Sequence, residues 1–182
     1  MSEIAKEDNN PKLYYGTYGK YNNGSIKGKW MDLSEYDTAE EFFEACAELH
    51  KDEHDPEFMF QDFECFPESL YSESMSAKDV QTIIDYAKLD DDQKELVEAF
   101  YEATGYGVGD YTIEQIEDAH IFTTDNSSFM STEEQYGYYC VENGFIDIPE
   151  NVQSYFDFES YGEDMMRDMS EHNGYVFDLN AI

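Results

Sequence analysis

Hydrophobic and polar positions along this chain cycle with periods that change several times, and the changes mark out three stretches. Residues 1–10 are polar and aperiodic and are expected to form a flexible N-terminus. Residues 13–20, rich in Tyr and Gly, and residues 26–33 read as two strand-like runs. Asn23-Gly24 between them predicts a hairpin turn, because both residues accept positive φ. Thr38-Ala39-Glu40-Glu41 reads as a capping box that opens a helix to about His50. On that helix Phe42, Phe43, Cys46 and Leu49 share one stripe, while Glu40, Glu41, Glu44 and Glu48 point largely away. Residues 57–64 alternate Phe58 and Phe60 with polar neighbours, as a third strand does. Residues 11–66 therefore predict a ββαβ unit.

Pro67 breaks the pattern and the chain turns helical. Ser76 caps a helix with Val80, Ile83, Ile84 and Ala87 on one side, and Asp90 caps a second with Leu96, Val97, Phe100 and Tyr101, ending near Gly105. Thr112-Ile113-Glu114-Gln115 opens a third carrying Ile113 and Ile116. None is long enough to stand alone, so residues 67–118 predict a small packed helical unit. In residues 119–182 a strand over 120–124 precedes a helix capped by Ser131 and running to about Asn143. Pro149 suits the first turn of another helix. Residues 155–169 predict a helix interrupted or kinked near Gly162, and residues 175–179 a closing strand after Asn173-Gly174. The fold class is α+β, in three small units, with Trp30 in the core and Lys27 and Lys29 at the solvated ends of a strand.

Charge changes this picture more than any motif. Against 43 Asp and Glu stand 10 Lys and Arg, a formal charge of −33 over 182 residues. Self-repulsion of that size persists for a reason such as disorder, halophily or a cationic partner. Disorder is opposed by 16 Tyr, 13 Phe and one Trp, whose burial removes large apolar areas from water. Residues 1–29 hold five lysines against three acids, whereas residues 95–182 hold 20 acids and only Arg167. The acids recur among helix and strand formers, so they coat folded elements and do not form one acidic tail. No apolar run spans a membrane or forms a secretory leader. Cys46, Cys65 and Cys140, irregularly spaced, fit reduced and mostly buried thiols of a cytoplasmic protein.

A halophilic enzyme would still carry an active site, and the residues do not compose one. His50 and His54 have the spacing of two zinc ligands, but His-Lys-Asp-Glu-His lacks the Glu beside the first His, and two surface histidines at a helix end are expected. Asp90-Asp91-Asp92 lacks the ligand and Gly positions of a calcium loop and reads as helix capping. The glycines Gly105, Gly107 and Gly109 follow no apolar strand and lack a phosphate-binding Lys. Without paired CxxC spacing, structural zinc is not expected. No catalytic residue, metal or cofactor is assigned, and no enzymatic activity is expected. Direct nucleic-acid binding is opposed as well, since phosphate affinity comes from clustered Lys and Arg. The chain carries the charge of the polyanion itself.

Three segments give this charge a context. Residues 13–30 (LYYGTYGKYNNGSIKGKW), 57–64 (EFMFQDFE) and 149–164 (PENVQSYFDFESYGED) resemble the ArdA antirestriction family, which imitates DNA to block restriction enzymes. The likeness runs from about residue 13 to the C-terminus. Where the family commonly has Gly-Arg-Asp, this chain has Gly162-Glu163-Asp164, which adds negative charge. The resemblance implies a curved, elongated row of three domains and a homodimer joined through residues 119–182. It implies occupancy of the DNA groove of type I restriction–modification enzymes, in the methyltransferase core and the full complex, with no cofactor and no turnover. The carboxylates expected to form the DNA-mimic surface are Glu40, Glu44, Glu48, Asp62, Glu64, Asp85, Asp91, Asp92, Glu98, Glu102, Glu114, Glu117, Asp157, Glu159, Glu163 and Asp164. Tyr155, Phe158, Tyr161 and Met165 suit either a dimer contact or an ordinary core. Duplex DNA carries one charge per about 1.7 Å, so 43 carboxylates correspond to about 21 base pairs and the net charge to about 16. The alternative reading is a general acidic binding protein or chaperone for basic DNA-binding proteins.

Overall fold

A computed structural model of the chain describes residues 9–182, so most of the flexible N-terminus expected over 1–10 lies outside the described residues. The fold is α+β, with eight helices and two small antiparallel sheets among those residues. Strand β1 (Lys12–Thr17) is central in the first sheet, between β2 (Lys29–Asp32) and β3 (Phe58–Glu64). Leu13 faces Met31, and Tyr15 faces Lys29. Against β3 the register slips: Tyr14 faces Asp62 but Tyr15 faces Phe60, which leaves Gln61 as an extra residue. That bulge puts Phe63, opposite Leu13, on the same inner face as Phe60, opposite Tyr15, where strict alternation would separate them.

The two N-terminal runs do pair, but not through an Asn-Gly turn. The Thr17 side chain accepts a hydrogen bond from the Lys20 amide and so caps a short helix, α1 (Tyr18–Asn22). Asn23 then keeps a negative φ of −91°, and only Gly24 takes a positive one, +78°. Helix α2 (Ala39–Leu49) lays Phe42 and Cys46 on the sheet, with the Tyr15 hydroxyl donating to the Cys46 carbonyl at 3.1 Å. Its capping box is half made: Thr38 accepts from the Glu41 amide, but the Glu41 carboxylate accepts from Asp37 instead of Thr38. Trp30, expected in the core, stands 36% exposed on the edge strand, its ring set edge-to-face with that of Tyr14 at 5.4 Å.

Helices α3 (Ala77–Ala87), α4 (Asp91–Thr104) and α5 (Ile113–Ala119) each begin with a complete capping box, on Ser76, Asp90 and Thr112. Gly105, left-handed at φ +67°, ends α4. Val80, Ile83, Ile84, Val97, Phe100 and Ile116 are fully buried and join Leu13, Tyr15 and Phe42 in one hydrophobic cluster. Helix α5 runs directly into β4 (His120–Thr123), the first strand of a second sheet ordered β4-β6-β5. Strands β5 (Ser170–His172) and β6 (Tyr175–Phe177) form a hairpin through Asn173 and Gly174, both at positive φ. Strand β5 was not visible in the periodicity. Phe177 on β6 sets its ring edge-on to Phe100 at 5.3 Å, which carries the core from α4 into this sheet.

Helix α6 (Thr132–Glu142) starts at Ser131, and a short α7 (Glu150–Gln153) has Pro149 at its cap position, one residue before the helix. The long kinked helix expected over 155–169 is instead α8 (Phe158–Met165), unbroken and capped by Asp157. Gly162 makes no kink. It is buried against α6, where an added Cβ would lie 1.8 Å from the Glu133 carbonyl oxygen. Gly137 on α6 answers it, with a Cβ position 2.1 Å from the Phe158 carbonyl oxygen. The two helices thus run antiparallel with their backbones in contact, a separation that only glycine permits.

Candidate partner-binding surface

Among the described residues no Asp or Glu is buried, so the negative charge lies entirely at or near the surface. Helical spacing arranges much of it into stripes. Glu40, Glu44 and Glu48 follow one another at i+4 along the outer face of α2, and all three are exposed. Asp91, Glu95, Glu98 and Glu102 form a second stripe on α4, about 16 Å long at 1.5 Å per residue. A single stripe carries roughly one charge per 5–6 Å, against about one per 1.7 Å of duplex DNA. Matching the duplex would therefore take several stripes side by side.

The predicted carboxylates divide by what holds them. Asp62 and Glu64 on β3, Asp92 on α4 and Glu114 on α5 are exposed. Asp85 is half-buried and accepts from the Gln81 amide at 3.0 Å; Glu98 is half-buried and accepts from the Tyr86 hydroxyl at 2.6 Å. Glu117 accepts from Gln93 at 2.8 Å, and Glu159 from Ser131 at 3.1 Å. Asp157 caps α8, accepting from the Ser160 amide and hydroxyl at 3.0 and 2.9 Å, and those bonds lower its pKa. Glu163 is exposed, whereas Asp164 pairs with Arg167 and Glu48 with Lys51. Sequence reasoning passed over Glu95, which lines a cleft of about 180 Å³ with Glu98, Glu102 and His172. Its i+3 and i+7 spacing to those two acids was the available signal.

The expected dimer residues are not equivalent. Tyr155 is 86% exposed and Met165 38% exposed, whereas Phe158 is buried within the chain and stacked on Tyr138 at 3.8 Å. Tyr161 is half-buried beside Phe156. Phe129, Met130, Phe145 and Val152 add to the exposed apolar surface of the same third of the chain.

One polar cluster resembles a metal site in composition. His50, Asp52 and Glu53 bring possible ligand atoms within 4.8 Å of one another. The space among them holds the Lys20 ammonium, 2.9 Å from His50 Nδ1, 2.9 Å from Asp52 and 3.1 Å from Glu53. Three donors meet three acceptors, and a tethered cation stands where a metal ion would. His50, expected on the surface, is fully buried, because it ends α2 against the Tyr15 ring. Burial, and then the Lys20 charge, lowers its pKa. Since an ammonium can only donate, Nδ1 accepts and the ring proton sits on Nε2, which is buried without a partner. His54 is exposed. Of the thiols, Cys46 and Cys140 are buried and Cys65 is exposed; burial pushes Cys46 up to about 12, which leaves it a poor nucleophile.

Among the described residues no helix is long and apolar enough to cross a membrane. Compared with known protein families, the chain matches the one described as antirestriction protein (ArdA) over residues 13–177. A comparison with curated proteins found no significant match.

Proposed function

The chain belongs to the ArdA family of antirestriction proteins, and from that premise we propose that it inhibits by imitating B-DNA. In this reading its carboxylates occupy the DNA groove of type I restriction–modification enzymes, in the methyltransferase core and the full complex. It acts there as a homodimer, in the cytoplasm, without cofactor or turnover. The observation that carries the reading is that none of the acids on the described elements is buried, so folding leaves them at or near the surface, where a cationic groove can reach them. The exposed apolar residues Phe145, Tyr155 and Met165 in the last third support self-association there, since aromatic and Met side chains favour interface cores.

Competition tests the proposal. The protein is titrated against a preformed methyltransferase–DNA complex at fixed low salt, with displaced DNA as the readout. Displacement at near-stoichiometric dimer is expected. Failure to displace DNA, or equal affinity for an unrelated basic protein such as lysozyme, overturns it.

A further inference from the structure

Residues 9–31 contain no Asp or Glu, in a chain whose net charge is −33. This stretch builds β1, α1, the loop after it and most of β2, and among the described residues β2 is an edge of its sheet. The Leu33 amide donates to the Pro11 carbonyl at 2.9 Å, which fixes the ladder: Lys29, Met31 and Leu33 bond towards β1. Trp30 and Asp32 therefore point their N–H and C=O groups outward. Beside this edge lie two clefts of about 370 and 280 Å³ that share Lys29, Met31 and Tyr36. Their apolar walls come from Trp30, Met31, Tyr36 and Leu49.

We propose that the open edge of β2 receives an extended, carboxylate-bearing peptide segment of a partner protein as an added strand. An added strand gains backbone hydrogen bonds from the edge and specificity from alternate side chains seated in pockets. Here the outward groups of Trp30 and Asp32 supply the bonds, and the clefts supply the pockets. Charge selects the occupant. Lys27 and Lys29 are exposed and take part in no ion pair among the described residues, whereas Lys20 is held by Asp52 and Glu53. The cleft rims also carry acids: Glu48 pairs with Lys51, Asp32 is held by hydrogen bonds from Ser34 and Asn10 with the Lys12 charge nearby, and Glu35 is exposed. Lysines on an edge strand also discourage like strands from pairing; the same charges favour an acidic one. A nucleic acid fits less well, because two free lysines release only about two counterions and a phosphate backbone has no use for a strand edge.

The test uses the full chain and a labelled peptide of alternating Glu and Val, with its Lys–Val counterpart as control. Fluorescence anisotropy reads affinity, and amide resonances read location. The Glu–Val peptide is expected to shift the amides of Trp30 and Asp32, and K27E/K29E to weaken its binding at least about tenfold. The Lys–Val peptide, drawn to the acidic faces, should leave those two amides unmoved. Trp30→Pro removes an outward N–H without touching a bond to β1, so it too should weaken binding. Should that variant misfold, the charge reversal alone decides. The proposal is overturned if no shift appears at those amides by about 1 mM peptide, or if K27E/K29E binds as tightly as the parent. It is equally overturned if oligo-dT moves the same amides and the peptide does not. Self-association of the chain that K27E/K29E abolishes would make a second copy the occupant and overturn it as well.

Discussion

Lys20, His50 and Glu53 show how a single residue's role depends on a neighbour that the sequence places 30 positions away. Burial alone would raise the Glu53 carboxyl, but hydrogen bonds from Thr17 and Lys20 hold its pKa below the usual range. His50 moves the other way from a histidine that gains an acid partner, because burial and the Lys20 charge both favour its neutral form. Lys20→Met should reverse this. Without the ammonium, Nδ1 is free to donate to Glu53 at 3.1 Å, and the His50 pKa measured by NMR titration should rise. A pKa unchanged from the parent would mean that Lys20 contributes nothing to it. Linkage gives a second outcome. The folded pKa lies below the ordinary histidine value of 6.5, so the stability from neutral His50 is fully present above pH 6.5 and is lost as pH falls through the folded pKa. The urea midpoint of the parent should therefore fall across that window, and His50→Gln should flatten the fall. Parallel profiles would show that other groups set the acid limb. Sequence reading placed His50 on the surface because helix-end position says nothing about the ring that Tyr15 lays against it.

At the scale of elements, what the chain disclosed and what it hid follow from how local each signal is. The capping residues Ser76, Asp90, Thr112 and Ser131 sit beside the groups they satisfy, so those helix starts were legible. Strand β5 has only three residues and no alternation, and it exists because β6 and α4 offer it a place. The bulge at Gln61 needs β1 opposite to be recognised. Gly162 carries the same ambiguity: a glycine inside a helical run reads as a kink, whereas its partner is the backbone of α6. Gly→Ala in an exposed helix usually stabilises by about 1 kcal/mol. Gly162→Ala should instead destabilise, by about 1–3 kcal/mol or more, because its Cβ meets backbone that cannot step aside as a side chain can. A gain in urea-unfolding free energy would sink the close-crossing account. Asp157 allows structure and charge to be separated on the same helix. Asn caps about as well as Asp, so Asp157→Asn should keep the midpoint of unfolding and remove one charge. Asp157→Ala should lower the midpoint as well. If inhibition falls with both variants alike, the charge matters; if only with Ala, the cap does.

For the molecule as a whole, the proposed DNA-mimic reading implies that the number of carboxylates makes each one nearly dispensable. The stripes on α2 and α4 each carry about a third of the line charge of duplex DNA, so no single element reproduces the backbone. The same acids do structural work at Asp90 and Asp157, and only the three-dimensional arrangement separates those from Glu44, Glu114 or Glu163. That is why composition suggests a class of partner, a cationic one, but not the contacting residues. A distributed surface makes a definite demand on mutagenesis. Effects at sites more than about 7–10 Å apart with no shared partners add. Neutralising Glu44, Glu114 or Glu163 to Gln one at a time should each weaken inhibition only slightly, and the triple variant should weaken it by about the sum of the free-energy changes. Each neutralised carboxylate should also flatten the dependence of inhibition on ionic strength, since fewer charges remain for salt to screen. The measurement is DNA displacement by the four proteins across a salt series. One substitution that abolishes displacement while folding and self-association persist would replace the distributed surface with a single hot spot. Equal salt slopes for parent and triple variant would show that these carboxylates lie away from the cationic groove.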